Sequence, residues 1–167
     1  MRLPAFLTTS AIAAALAVSA QAAPAGISTI NIDIGAELAG KIDTVDARDL
    51  EFLKAELRES LERELGRTGG LAADGAVLNL VIEDATPNRP TMRQMTRTPG
   101  LSYESRGIGG ATLSGTLVTA EGSVPVRYRW YESDFRNTLG AGTWSDAETS
   151  FDRFARKVAR SDSLAAK

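Results

Sequence analysis

A stripe of leucines in the first half of the chain is the strongest constraint that the sequence places on the fold. Five leucines recur three or four residues apart: Leu50, Leu53, Leu57, Leu61 and Leu65. Because residues three and four apart share one helix face, this pattern predicts an amphipathic helix over residues 46–65, capped by Thr44 or Asp46. A helix with such a stripe needs another layer of structure to bury its leucines.

Segments with period-two alternation supply that layer as strands. Residues 27–35 alternate isoleucine with polar residues, and residues 76–85 form a more continuous apolar run. Residues 107–119 and 124–133 also alternate, and the short segment 120–122 joins them. Alternation predicts half-buried strands, and the joined pair predicts a hairpin. The continuous run predicts a central strand that is covered on both faces or nearly so.

A second amphipathic helix is predicted over residues 143–160. Apolar residues at helical spacing form one face, and four cations crowd its C-terminal turns: Arg153, Arg156, Lys157 and Arg160. Cations are favourable there because the C-terminal end of the helix dipole is negative. Ser145, with Glu148 three residues later, is typical of a capping box at a helix start.

The order of these elements predicts an α+β fold in a single domain over residues 27–160. The order is β-α-β-loop-β-β-α, which predicts a four-stranded mixed sheet whose first β-α-β unit is a right-handed crossover. Both amphipathic helices are expected to pack on one face of the sheet. The other face is then expected to be wet and to carry Arg127, Arg129 and Tyr131. Residues 161–167 are expected to form a disordered tail.

The first 22 residues have the order of a secretory signal peptide. Arg2 precedes an apolar run over residues 3–18, and the small residues that follow fit an A-x-A cleavage site ending at Ala22. We therefore expect cleavage near Ala22, a linker over residues 23–26 and a mature protein in the periplasm or outside the cell. No later run of 18 apolar residues follows, so no integral membrane insertion is expected after cleavage.

The chain contains no histidine and no cysteine. These absences exclude Ser-His and Cys-His nucleophile pairs, thiol redox chemistry and the ordinary zinc sites, so we expect no metal and no cofactor. The net charge of −2 argues against a nucleic-acid partner.

Carboxylates remain available for chemistry, and Glu83 with Asp84 at a strand end is one such pair. It supports an alternative interpretation, a carboxylate-dependent hydrolase or lyase acting on an envelope polymer. The same two acids also fit a strand that leaves the core. A protein without catalytic activity is therefore favoured, and no catalytic residue is assigned.

Residues 86–106 lose periodicity and predict a long loop with one helical turn near residues 92–95. We call this segment the arginine loop. It contains one acid, Glu104, and four arginines: Arg89, Arg93, Arg97 and Arg106. This basic island fits two interpretations, a site for an acidic group and a solvated loop that its arginines keep soluble.

The functional hypothesis is a non-catalytic binding or interaction module of the cell envelope. Its surface is predicted to combine the four arginines of the loop with Arg127, Arg129 and Tyr131 on the wet sheet face. The expected partner is an acidic protein or an envelope polymer. The hypothesis predicts that the first three loop arginines lie near Arg127 or Arg129 in space.

Three short stretches carry a resemblance to other proteins. The run E-D-A-T-P-N-R-P-T at residues 83–91, the run P-G-L at 99–101 and the run S-R-G-I-G-G-A at 105–111 resemble a segment of small exported proteobacterial proteins without an assigned activity. The resemblance implies export and brings no catalytic residue. The order of elements is also broadly similar to auxiliary domains of envelope transport and assembly systems, as an analogy of architecture.

Overall fold

Four strands form one mixed sheet in the order in which they occur along the chain. In the computed structural model, which describes residues 26–160, the strands are β1 (Ile27–Ile34), β2 (Ala76–Thr86), β3 (Gly110–Thr119) and β4 (Gly122–Tyr131). β1 pairs with β2 in parallel, and the β2/β3 and β3/β4 pairs are antiparallel. The predicted α+β fold with a four-stranded mixed sheet is confirmed.

Four helices accompany the sheet: α1 (Ala36–Ala39), α2 (Ala47–Thr68), α3 (Met92–Arg97) and α4 (Ser145–Ala159). One 3-10 turn, Phe135–Thr138, follows β4. α2 and α4 are the two predicted amphipathic helices, and α3 extends the helical turn predicted within the arginine loop. Within residues 26–160, no helix is both long and apolar enough to cross a membrane.

The predicted signal peptide and the predicted tail lie outside the described residues, as does the predicted linker apart from Gly26. Cleavage near Ala22 and export therefore stay predictions, as do the exact bounds, 27–160, of the single domain.

The leucine stripe of α2 and the aromatic stripe of α4 form the core. Leu53, Leu57 and Leu61 are fully buried, and so is Phe151 of α4. They join the apolar residues of all four strands in one cluster. Full burial of each such side chain stabilises the fold by roughly 1.5–3 kcal/mol relative to exposure, which makes this cluster the main source of stability.

α2 and α4 run in the same direction along the sheet. Near their N-terminal ends, Trp144 Nε1 donates to Asp49 Oδ1 at 3.2 Å. Eleven residues further along α2, Ser60 Oγ donates to Asp152 Oδ1 at 2.7 Å. Contacts that advance together on both helices require a parallel pair, so the C-terminal ends of α2 and α4 lie at the same end of the domain.

Local sequence predicts the N-terminal cap of α2 correctly and that of α4 incorrectly. Asp46 caps α2 and forms a capping box with Asp49. The predicted capping box of Ser145 and Glu148 is wrong, because Trp144 is the residue that precedes α4 and its side chain makes no cap bond. Ser145 Oγ instead accepts from the backbone N–H of Gly142 at 2.8 Å, which ties the helix start to the preceding loop.

The sheet face opposite α2 and α4, here called the reverse face, is polar. Its side chains follow from the strand registers, since alternate residues point to opposite faces. Asn31, Asp33, Asn79, Glu83, Asp84, Thr112, Ser114, Thr116, Arg127, Arg129 and Tyr131 form this set. All of them are exposed or half-exposed. The expectation that β2 is covered on both faces or nearly so is therefore wrong.

Glu148 of α4 makes the stability of the protein depend on pH. Burial raises the pKa of the Glu148 carboxyl, and the nearby acids Glu56 and Asp152 raise it further. The folded protein then holds this proton more tightly than the unfolded chain. Its contribution to stability is complete below the unfolded pKa of about 4.3 and is lost as the pH rises through the higher folded pKa.

Replacement of Glu148 by Gln is therefore expected to raise the free energy of unfolding at pH 7 and to change it little at pH 4. Urea denaturation at both pH values measures this difference. The control is Glu62→Gln on the exposed side of α2, which should show no such gain at pH 7. Equal gains at pH 4 and pH 7 for Glu148→Gln would contradict the assignment.

Candidate functional site

A β-bulge in β2 places two adjacent carboxylates on the reverse face. Ile82 lies opposite Leu113 and Asp84 opposite Thr112, so Glu83 is an extra residue without a partner on β3. In regular alternation Glu83 and Asp84 would point to opposite faces, whereas a bulge allows both to point the same way. The bulge therefore brings both carboxylates to the reverse face, where they join its other polar side chains.

The two carboxylates have different partners. Ser114 Oγ donates to Glu83 Oε1. Asp84 accepts from Lys41 Nζ on one oxygen and from the Tyr131 hydroxyl, at 2.9 Å, on the other. Asp84 is therefore held in place by two donors, and Glu83 by one donor.

Tyr131 is the hydroxyl donor of this cluster. Partial burial raises the pKa of its phenol, and the hydrogen bond to Asp84 raises it as well, while the hydrogen bond with Thr112 lowers it. The Thr112 and Tyr131 hydroxyl oxygens are 3.2 Å apart. At neutral pH the phenol stays protonated and donates to Asp84, so it holds that carboxylate in place rather than acting as a base.

Two arginines of β4 complete the reverse-face site. Arg127 lies opposite Ser114 in the register and Arg129 opposite Thr112, and both are exposed. The Arg129 guanidinium lies 4.7 Å above the Tyr131 ring centre. Within residues 26–160, neither arginine has a carboxylate within 4.0 Å. Two cations are thus available to an external anion.

A depression of about 580 Å³ lies among these groups. Six of its lining residues carry polar side-chain groups: Glu83, Thr112, Ser114, Arg127, Tyr128 and Arg129. The depression offers cations, hydroxyls and one carboxylate within a small area. Such a mixture suits recognition of a polar ligand by several hydrogen bonds more than burial of an apolar one.

Arg89, the first arginine of the loop, joins two segments of the protein through its hydrogen bonds. Its side chain is only 12% exposed. Its Nε donates to the Ala141 carbonyl and its Nη1 to the Tyr103 carbonyl at 2.6 Å, and the guanidinium lies over the Tyr103 ring. These bonds tie the arginine loop to the loop before α4 and leave little of Arg89 for a ligand.

Arg93 and Arg97 attach the loop to the segment between α1 and α2. Arg93 Nε donates to the Ile42 carbonyl, and Arg97 forms an ion pair with Asp43. Arg106 is exposed. The first three loop arginines are thus bound to backbone carbonyls and to two acids, Glu104 and Asp43. Arg127, Arg129 and Tyr131 instead stand together on β4.

A buried hydrogen-bonded clamp holds the base of the loop, and sequence reasoning missed it. Asn88 is 1% and Asp146 is 7% exposed. Asn88 Nδ2 donates to Asp146 Oδ2, and the Asp146 N–H donates to Asn88 Oδ1 at 2.8 Å. Gly109 N–H donates to the same carboxylate at 2.8 Å. One feature of the sequence could have indicated this clamp: Asp146 is an acid in the first turn of α4, a position that the helix dipole favours.

Gly109 is required at the clamp because there is no room for a side chain. A Cβ at this position would lie 2.5 Å from the Thr86 carbonyl oxygen and 2.9 Å from Asn88 Oδ1. Gly109 therefore permits close packing of the loop against the end of β2.

Comparisons with known proteins leave the fold and the site to be interpreted on their own geometry. No model of a known protein family matches the chain, and a search of curated proteins finds no significant match. Within residues 26–160, no group of three or more acidic, histidine or cysteine side chains converges as a metal site would.

Replacement of Asn88 by Ala is expected to destabilise the protein by about 2–3 kcal/mol, because the Asp146 carboxylate and N–H lose buried partners. It should also speed trypsin cleavage after Arg93, Arg97 and Arg106. Urea denaturation and timed proteolysis with mass mapping measure the two effects. The control is Asn137→Ala, which removes only an exposed bond to Glu132. Unchanged cleavage in the Asn88 variant would show that the clamp does not order the loop.

Proposed function

We propose that this protein is a non-catalytic binding module of the cell envelope that engages an acidic segment of a partner protein through its reverse face. The observation that carries the proposal is the pair Arg127 and Arg129, both exposed and without a carboxylate within 4.0 Å in the described part of the chain. Paired arginines are the side chains best suited to bind carboxylates by forked hydrogen bonds.

Preorganisation of the site supports the proposal. Arg129 is stacked on Tyr131, whose hydroxyl is bound to Asp84, and Asp84 is bound to Lys41. A side chain that is already fixed loses less conformational entropy when a partner binds. Because the cluster already fixes Arg129, binding of a partner costs little further conformational entropy of this side chain.

The arginine loop has a supporting role in this proposal. Arg93 and Arg97 attach to Ile42 and Asp43, and Lys41, the residue just before them, is the ion-pair partner of Asp84. The loop thereby braces the segment that holds the reverse-face cluster. This role replaces direct contact of the loop arginines with the partner.

Site-specific photocrosslinking tests the proposal. A photoreactive amino acid at Thr116, on the reverse face, is expected to yield a discrete adduct in cells that export the protein. The same group at Phe52, on the exposed side of α2, is expected to yield none. Mass spectrometry should place the crosslink next to an acidic stretch of the partner.

The double variant Arg127→Gln with Arg129→Gln is expected to reduce the Thr116 adduct at least tenfold, since it removes both unpaired cations of the face. The matched control is Arg58→Gln with Arg136→Gln, two exposed arginines that have their own carboxylate partners. An adduct that persists in the first double variant, or falls equally in both, would refute the proposed surface.

The bulge in β2 favours one second candidate, a carboxylate-dependent hydrolase or lyase. Two acids on one face can divide acid and base roles when their environments differ, and Glu83 and Asp84 differ in their donors. Such an enzyme is expected to release reducing ends from purified cell-wall polysaccharide. Glu83→Gln with Asp84→Asn should lower that release about 100-fold or more, and Asp33→Asn on the same face should leave it unchanged. Release that survives the double variant would exclude this site.

A further inference from the structure

Four cations form a single stripe on α4, on the side of the sheet opposite the reverse face. Arg153, Arg156, Lys157 and Arg160 are separated by three, four and seven residues and therefore share one helix face. They enclose a surface depression of about 550 Å³. With a rise of 1.5 Å per residue, the stripe extends for roughly 10 Å. The proposed function does not use it.

No cation of this stripe forms a direct ion pair within the described part of the chain. The exposed arginines of α2 have carboxylate neighbours: Arg58 with Glu62, Arg63 with Asp152 and Arg67 with Glu64. No carboxylate of residues 26–160 lies within 4.0 Å of any of the four stripe cations. A protein of net charge −2 thus presents a concentrated positive line on one helix.

Helix-dipole compensation accounts for only part of this pattern. The dipole effect falls off within the last turn of a helix. Arg156 and Lys157 lie in the last turn of α4, but Arg153 lies before it. The Arg153 guanidinium is instead fixed over the Trp130 ring, 4.6 Å from its centre. Stacking on an aromatic ring stabilises and orients a cation without consuming its hydrogen-bond donors.

We propose that the α4 stripe binds a linear anionic polysaccharide, a ligand class separate from the acidic partner of the reverse face. Each exposed ion pair contributes little, so a useful affinity requires a ligand whose charges repeat along its length. Trp130 and Tyr128 are half-exposed beside the cations. Aromatic side chains in this position can contact the apolar C–H face of a sugar ring.

A membrane surface fits this stripe less well than a polysaccharide. Helices that bind at a membrane surface insert an apolar face below the head groups. The apolar face of α4 is occupied, because Phe151, Phe154 and Val158 are buried in the core. On α4 itself the cations are left for contact, and they suit a charged chain that lies along the helix.

Titration of the exported protein with polygalacturonate tests this inference, with uncharged dextran as the reference polymer. Polygalacturonate is expected to bind, with an affinity that falls as the salt concentration rises, and dextran is not. The triple variant Arg153→Gln, Arg156→Gln, Lys157→Gln is expected to bind at least tenfold more weakly and with a smaller salt dependence. Circular dichroism verifies that the variants are folded.

The matched control is Arg58→Gln, Arg63→Gln, Arg67→Gln, which removes the same charge from α2 and should retain affinity within about twofold. Equal losses in both triple variants would overturn the proposal, because net charge alone would then explain binding. Binding to vesicles of phosphatidylcholine and phosphatidylglycerol, or to polyglutamate, without binding to polygalacturonate would overturn it as well. The α4 triple variant should keep the Thr116 crosslink of the reverse face, which separates this test from that of the proposed function.

Discussion

Burial of the α2 and α4 stripes against the same face of the sheet determines where the polar groups of this protein lie. A sheet of four strands has two faces, and the leucines and phenylalanines of two helices pack on one of them. Charged and hydroxyl-bearing side chains of the strands are then confined to the other face, because a buried unpaired charge costs several kcal/mol. The reverse-face cluster is the direct result of this division.

The polar groups that do enter the interior are all paired. Within residues 26–160, no fully buried side-chain nitrogen or oxygen lacks a hydrogen-bond partner. Asn88 and Asp146 illustrate how this is achieved, since each supplies what the other needs and Gly109 adds a third donor. The clamp joins the end of β2, the exit of the arginine loop and the start of α4. Three segments far apart in the chain thereby share one anchoring point.

The fold could be predicted from the sequence because its main elements are long and strongly periodic. The stripes of α2 and α4 and the alternation of β1, β3 and β4 each repeat several times, and their burial follows from the period alone. β2 was misjudged on its reverse side, because Val77 and Val81 are apolar and yet half-exposed there. An apolar run alone cannot report whether a second layer covers the reverse side of a strand.

The candidate site could be predicted only in part, and the reason is again physical. Arg127, Arg129 and Tyr131 were found because alternation places them together on β4. Most partners of Arg89, Arg93 and Arg97 were not, because they are backbone carbonyls and Asp43, an acid far away in the sequence; only Glu104, beside Arg89, lies in the same loop. The bulge at Glu83 was also invisible, since a single inserted residue leaves no local signature in composition. Arginine content alone therefore could not distinguish arginines that bind other parts of the fold from arginines that are available to a partner.

The sheet order has a consequence for how the chain acquires its structure. Each strand pairs with the strand before it, so the sheet can assemble progressively from the N-terminal end, with the α2 crossover as its longest internal connection. The bonds between Asn88 and Asp146 join residues 58 positions apart and form only when α4 docks. A chain that folds as its amino end emerges would complete the sheet first. Docking of the last helix would then fasten the arginine loop, which makes that helix the closing step of folding.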